Sequence, residues 1–462
     1  MVTIHRSHLV IPSETTPSTT LSLSHCDQIK LPNHGSQLYL YTNTPSTTLH
    51  SSLFTLSTSL SKTLTHFYPF AGRLTWIQGG RFQLLCNAKG ALLLEATCDH
   101  HLDFDSLGDF VPSPVFELLA PKIDYDVPLE DVPLLVVQLT RFPCGSLTLG
   151  LALCRALLDG TAVMCFLNSW ARLARGESLD SSLMPLLDRS LLDSRKLNKP
   201  PRFEHPEFFP PPLLKSDVAQ HTNVPPELAT AILKITKGQV EILKKKACDF
   251  GDGLGPHRPY TSFEVISGHL WRCVCKVRYV ATNGVQVQPT RLTTLVNCRN
   301  RLSPPLPKAY FGNATFPTVT QTCSFDDIMH MPLSYAVGKV REAIEKVSDG
   351  YVRSALDYIA NLDDMNLFRD MLYNKSAGKG QFRGDPNIYV VGWTNFSFYE
   401  SDFGWGKPVC MLPGTINSEG KAFLMDNASG DAFIVATCLQ ASQVDTFKKL
   451  FYDGIEKPSS KL

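Results

Sequence analysis

Two short segments gather residues able to do chemistry inside otherwise apolar sequence. Arg155-Ala-Leu-Leu-Asp159-Gly160 ends an alternating run, and Asp402-Phe-Gly-Trp-Gly406 combines a carboxylate, two glycines and an indole. An aspartate just ahead of glycine is first of all a turn former, because its short side chain bonds its own backbone two residues on. A kinase-type metal site at Asp402-Phe-Gly is excluded, since no Gly-rich loop or His-Arg-Asp segment precedes it. Arg155 brings a permanent positive charge, with a pKa of about 12 or more, five donors and no acceptor. It can hold an anionic carbonyl or carboxylate, but it cannot take a proton as an ordinary general base. His101-Leu-Asp-Phe-Asp105 also sets a histidine four places ahead of an aspartate. No glycine follows it and the run is polar, so nothing aims it into a cleft.

The elements that must position these residues can be read from periodicity. Leu147, Leu149, Leu151 and Leu153 alternate with small or polar residues, which predicts a strand with one buried face. Gly160 breaks that run, and Val163, Phe166, Leu167, Trp170 and Leu173 then mark one face of a helix. The first chemical segment therefore lies in a tight strand-to-helix turn. Leu53, Leu56, Leu60, Leu64 and Phe67 predict an earlier helix that stops at Pro69, with strands at 82–86 and 91–96. Residues 197–226 are too rich in proline for regular structure and read as a crossover linker between a first domain, 1–196, and a second, 227–462. Beyond it the pattern predicts a strand and basic helix over 227–246, and a helix over 261–279. One long helix follows, capped by Ser324 and carrying Leu333, Val337, Val340, Ile344 and Val347 on one face. Strands at 388–393, 422–425 and 432–438 close the chain. The run Lys244–Lys246 reads as a solvated helix face.

The 462 residues, 43% hydrophobic and 19% charged, exclude a disordered chain and suit two domains of mixed α/β architecture. With 44 basic against 43 acidic residues there is no electrostatic case for nucleic acid. No apolar stretch reaches the ~18 residues that span a bilayer, and the start does not read as a secretory signal, so a cytoplasmic location is expected. The 13 cysteines show no C-x-x-C pair, which predicts reduced, mostly buried thiols and no metal site.

The pair RALLDG and DFGWGKP resembles the plant BAHD acyltransferases, which carry HxxxDG midway and DFGWG near the C-terminus. The resemblance covers essentially the whole chain, through LSLSHCD (21–27), YPFAGRL (68–74), SGHLWRC (267–273), VNCRNRL (296–302) and YFGNA (310–314). The linker phrase RFEHPEFFPPP and the start MVTIHRS look most like the hydroxycinnamoyl transferases, the spermidine-acylating branch in particular. The resemblance implies two similar domains with a solvent channel between them, and a monomer without bound cofactor. Acyl-CoA would enter from one side and a small amine or alcohol acceptor from the other. It implies a motif histidine that takes the acceptor's proton during attack on the thioester. Asp159, beside Gly160, would point away from the channel and pair with Arg299. Asp402, with Gly404, Trp405 and Gly406, would brace the fold near the channel. Trp393 would offer its indole N–H to the developing oxyanion, and Tyr39 would line the acyl pocket.

The departure falls on the base, because Arg155 stands where the family has histidine. Losing a general base costs on the order of a hundredfold to ten-thousandfold in rate, least for a free amine that already offers a lone pair. Three readings stay open on sequence: an acyltransferase, of polyamines such as spermidine or of alcohols, with a weakened or replaced base; a non-acylating pseudoenzyme, or a lyase that binds an anionic substrate through Arg155; and an active transferase into which the arginine was introduced.

Overall fold

The computed structural model describes residues 1–42, 49–99, 115–192, 200–209, 227–248, 258–281, 284, 288–373 and 385–456. His101 and Asp105 lie outside them.

The apolar alternation and β-branched runs build two six-stranded mixed sheets. The first runs Val2–Val10, Ala91–Cys98, Leu135–Arg141, Leu147–Cys154, His34–Tyr41 and Cys410–Pro413 across its width. The second runs Thr315–Val319, Leu292–Asn297, Ile388–Trp393, Lys421–Asp426, Ala432–Gln440 and Leu228–Thr236. Helices Leu49–His66 and Gly160–Ala174 pack with the first sheet into one core. Helices Lys237–Ala247, Ser262–Ala281, Leu333–Glu345 and Val444–Glu456 cover the second around the buried Trp271. The fold is thus mixed α/β, with two six-stranded sheets each packed against helices.

One strand breaks the sequential order. Cys410–Pro413, which follows the DFGWG segment, leaves the second sheet and pairs antiparallel with His34–Tyr41, setting Met411 opposite Tyr39. The main core is continuous across the halves in consequence: Leu147, Leu149 and Leu151 share it with Tyr389, Val391, Phe423 and Met425.

Two expectations need correction. The strand Leu147–Cys154 is buried at every position, not on one face. Residues Phe116 and Leu119 of the short helix Val115–Leu119 cover the sheet's other side, where Leu38, Leu40 and Leu412 lie. The long helix after Ser324 is two helices, Phe325–His330 and Leu333–Glu345, because Pro332 cannot donate the backbone bond that would join them. Within the described part of the proline-rich stretch, residues 200–209, the short turn Pro206–Phe208 is anchored while most of its flanks are exposed. Phe208 is fully buried against Phe316 and Phe368, and His205 bonds Glu207 (3.0 Å) and Ser354 (3.0 Å) in the interior.

The described cysteines are all free thiols and most are buried. No group of three or more metal-ligating side chains occurs among the described residues. No helix among them is long and apolar enough to cross a membrane.

Candidate active site

Asp159 and Gly160 occupy the joint between the strand Leu147–Cys154 and the helix Gly160–Ala174. Asp159 is the helix N-cap, accepting from the Ala162 N–H at 3.1 Å, which satisfies one of the donors a helix start leaves open. The same carboxylate takes two bonds from the Arg299 guanidinium, 2.7 and 3.0 Å, and one from the Ala314 N–H at 2.8 Å. Arg299 also donates to the carbonyls of Tyr310 (3.2 Å) and Gly312 (3.0 Å). Both partners are buried, so each charge depends on the other, and removing one would strand its mate away from water. Because Asp159 belongs to the first sheet's chain and Arg299 to the second's, this pair ties the halves together. Gly160 lets them approach closely: a Cβ there would sit 2.8 Å from the ring of Phe396, which comes from the second half. Asn297 reaches across to the Thr161 hydroxyl at 3.3 Å.

Arg155 follows the strand directly and is exposed. Its side chain lies across Gly35, where a Cβ would come within 3.2 Å of its Nε. Gly35, Gln37, Tyr39 and Tyr41 pair with Leu153, Leu151, Leu149 and Leu147 and share one face of the sheet by the two-residue period. That face looks to the second half, where the Phe398 ring stands 6.3 Å from the Tyr39 ring. Tyr39 is fully buried, its hydroxyl donating to Gln37 Oε1 at 3.0 Å, and burial pushes the phenol's pKa well up.

Trp393 ends the strand Ile388–Trp393 and packs on Phe423 (4.5 Å) and Phe398 (5.8 Å), so Phe398 links it to Tyr39. Arg155 and Trp393 thus come from opposite halves.

Asp402 behaves differently from Asp159. Its Oδ1 accepts from the N–H groups of Gly404 (2.8 Å) and Gly406 (3.0 Å), closing a local turn. Both glycines have positive φ, +93° and +89°, which a side chain would strain. The turn presents Trp405 edge-on to Tyr41 (5.3 Å) and Phe403 to Trp170 (4.9 Å). Tyr41 in turn donates to the Ser401 carbonyl at 2.7 Å, and Arg175 donates to the Asp402 carbonyl. The segment belongs to the second half by sequence and docks on the first.

The Transferase family model matches residues 1–453. The chain belongs to the BAHD acyltransferase family. It is 36% identical to a hydroxycinnamoyl-CoA:piscidic acid hydroxycinnamoyltransferase of Actaea racemosa over 98% of this chain and 100% of that protein. It is 32% identical to a hydroxycinnamoyl-CoA:5-hydroxyanthranilate N-hydroxycinnamoyltransferase of Avena sativa, over 98% and 99%. Its fold resembles that of vinorine synthase, with a TM-score of 0.71 over 96% of both chains at 22% identity. The BAHD protein is therefore an acyltransferase moving groups other than amino-acyl groups, with acyl-CoA as co-substrate.

Sequence reasoning overlooked several residues that shape this site. Asp27 and Asn313 sit in LSLSHCD and YFGNA, segments that resembled the family without an assigned role. Phe396, which requires Gly160, and Arg189, which fills the space a side chain at Gly312 would need, gave no periodic or motif signal at all.

Proposed function

We propose that this BAHD protein transfers a hydroxycinnamoyl-type acyl group from its CoA thioester to a small acceptor that carries a carboxylate and whose nucleophile is uncharged at neutral pH. One observation supports this above all. A permanent cation, Arg155, occupies the position of the family's base, at the end of the face that Gly35, Gln37 and Tyr39 turn toward Phe398. A guanidinium there cannot deprotonate an acceptor, but it can bind a carboxylate in two-donor geometry. The two relatives named above act, by their names, on piscidic acid and on 5-hydroxyanthranilate, both acids and the second an arylamine.

In the proposed reaction the acceptor's nitrogen or oxygen attacks the thioester carbonyl carbon. The carbonyl oxygen becomes an oxyanion that Trp393 can meet with its indole N–H. The C–S bond then breaks, and the departing thiolate takes the proton released by the nucleophile. An arylamine brings its lone pair unprotonated, so it needs the absent base least. The halves 1–196 and 227–462, joined through 197–226, close around this site. The protein works as a monomer in the cytosol.

The test is CoA thiol release from a panel of acyl-CoAs and acceptors, for the protein as it stands and for Arg155→His. Replacement by histidine raises turnover with alcohol acceptors by at least about tenfold, a conservative share of the roughly hundredfold or more that a general base contributes. Arg155→Ala raises KM for acid acceptors and leaves KM for the thioester alone. A polyamine, the acceptor implied by the resemblance of the linker and the start, has ammonium groups that Arg155 would repel. Faster turnover with spermidine than with any acid would reverse the assignment. CoA binding without turnover by either form would favour the non-acylating reading.

A further inference from the structure

A second buried charge cluster, separate from the Asp159–Arg299 pair, converges on the turn that carries Arg155. At its centre Asp27 is fully buried. It closes a capping box with Ser24, taking bonds from the Ser24 N–H (3.0 Å) and hydroxyl (2.8 Å). It also accepts from the Asn313 main chain (3.0 Å) and side-chain amide (2.8 Å), and pairs with Arg189 at 3.3 and 3.4 Å. Burial pushes the Asp27 carboxyl up, and Arg189 and Asn313 pull against it. Each of those two partners then reaches the same turn. The Asn313 amide donates to the Arg155 carbonyl at 3.1 Å, and the Arg189 guanidinium donates to the Leu157 carbonyl at 3.0 Å. On the other side the Arg155 N–H donates to the Asn33 carbonyl at 2.8 Å.

The peptide units on both sides of residue 155 are thus held by segments remote in sequence. Such a cluster costs desolvation and is poor evidence for stability as such, since apolar side chains can fill the same volume at no loss. What apolar side chains cannot do is fix the direction of the Arg155 N–H and carbonyl, and with them the Cα–Cβ vector between, while Arg189 holds the next turn of backbone at Leu157. We infer that Asp27, Arg189 and Asn313 are positioning residues: they aim whatever side chain stands at position 155 toward the second half of the molecule. The inference rests on the reading that acyl transfer takes place at position 155.

The experiment is a double-mutant cycle of Asn313→Ala with Arg155→His, read by single-turnover thiol release with enzyme in excess, so that the slow parent is measured too. In the Arg155→His background, Asn313→Ala lowers the rate on the order of tenfold, since a displacement of about an ångström can cost that or more. KM for the thioester is unchanged. In the Arg155 parent, whose side chain accepts no proton, the same substitution costs less than about twofold, a coupling that residues acting independently would not show. If Asn313→Ala does not fold, Arg189→Lys completes the cycle, because an ammonium lacks the fork that reaches Asp27 and Leu157 together. Equal fractional losses in both backgrounds, with the histidine form fast, overturn the positioning role alone. A histidine form no faster than the parent with any acceptor overturns the reading beneath it.

Discussion

Asp159 and Asp402 both precede or flank glycines in short motifs, yet they are held in opposite ways. Asp159 is buried and takes its bonds from Arg299, Ala162 and Ala314, two of them in the second half of the chain. Asp402 is half-buried and takes its side-chain bonds from the two glycines of its own turn. The first carboxylate is a joint between halves and the second shapes a local loop. What the second loop contributes between halves it contributes through Trp405, Phe403 and its main chain. Equal residue types in similar motifs therefore carry unequal shares of the structure, decided by where their donors come from.

That contrast can be broken from its strong end. Asp159→Ala leaves the Arg299 guanidinium charged and buried, and unfolding by denaturant should show a loss of about 3–5 kcal/mol. A loss under about 1 kcal/mol, the range of an exposed pair, would mean that water already reaches the joint. Gly160→Ala drives a methyl into Phe396 and should cost about 1–3 kcal/mol by overpacking. Phe396→Leu, by relieving the clash, should restore part of it, and strictly additive losses would deny the contact. At the weak end, Asp402→Ala removes two acceptor bonds from a partly solvated turn and should cost about 1 kcal/mol in the same measurement. It should also quench or shift the emission of Trp405 as that ring leaves Tyr41. Gly406→Ala should cost about 1 kcal/mol, the lower end of the left-handed backbone penalty, through strain alone. An Asp402 variant as unstable as the Asp159 variant would erase the distinction.

The local elements were legible because local rules govern them. The strand-turn-helix around Asp159 follows from a two-residue period, a glycine and a 3.6-residue period, and the structure has it at Leu147–Cys154 and Gly160–Ala174. The helix Leu49–His66 and the strands Ile388–Trp393 and Ala432–Gln440 are equally local. Where a distant segment supplied the deciding contact, periodicity said the wrong thing or nothing. The alternating strand is buried on both faces because Phe116 and Leu119 cover its far side. His205 is an interior residue because Ser354 and Glu207 receive it, a contact that its place in a proline-rich linker does not announce.

Composition and period by themselves determined the class of fold, and the motifs pointed to the family, since each is a property of residue type and order along the chain. Only the tertiary structure decided that Cys410–Pro413 crosses into the first sheet, that Gly35 leaves the space Arg155 lies across, and that Asp27, Asn313 and Arg189 meet around one turn. Those contacts join residues far apart in sequence. Buried charges select partners by the donors that can reach them in space, a choice that spacing along the chain does not encode.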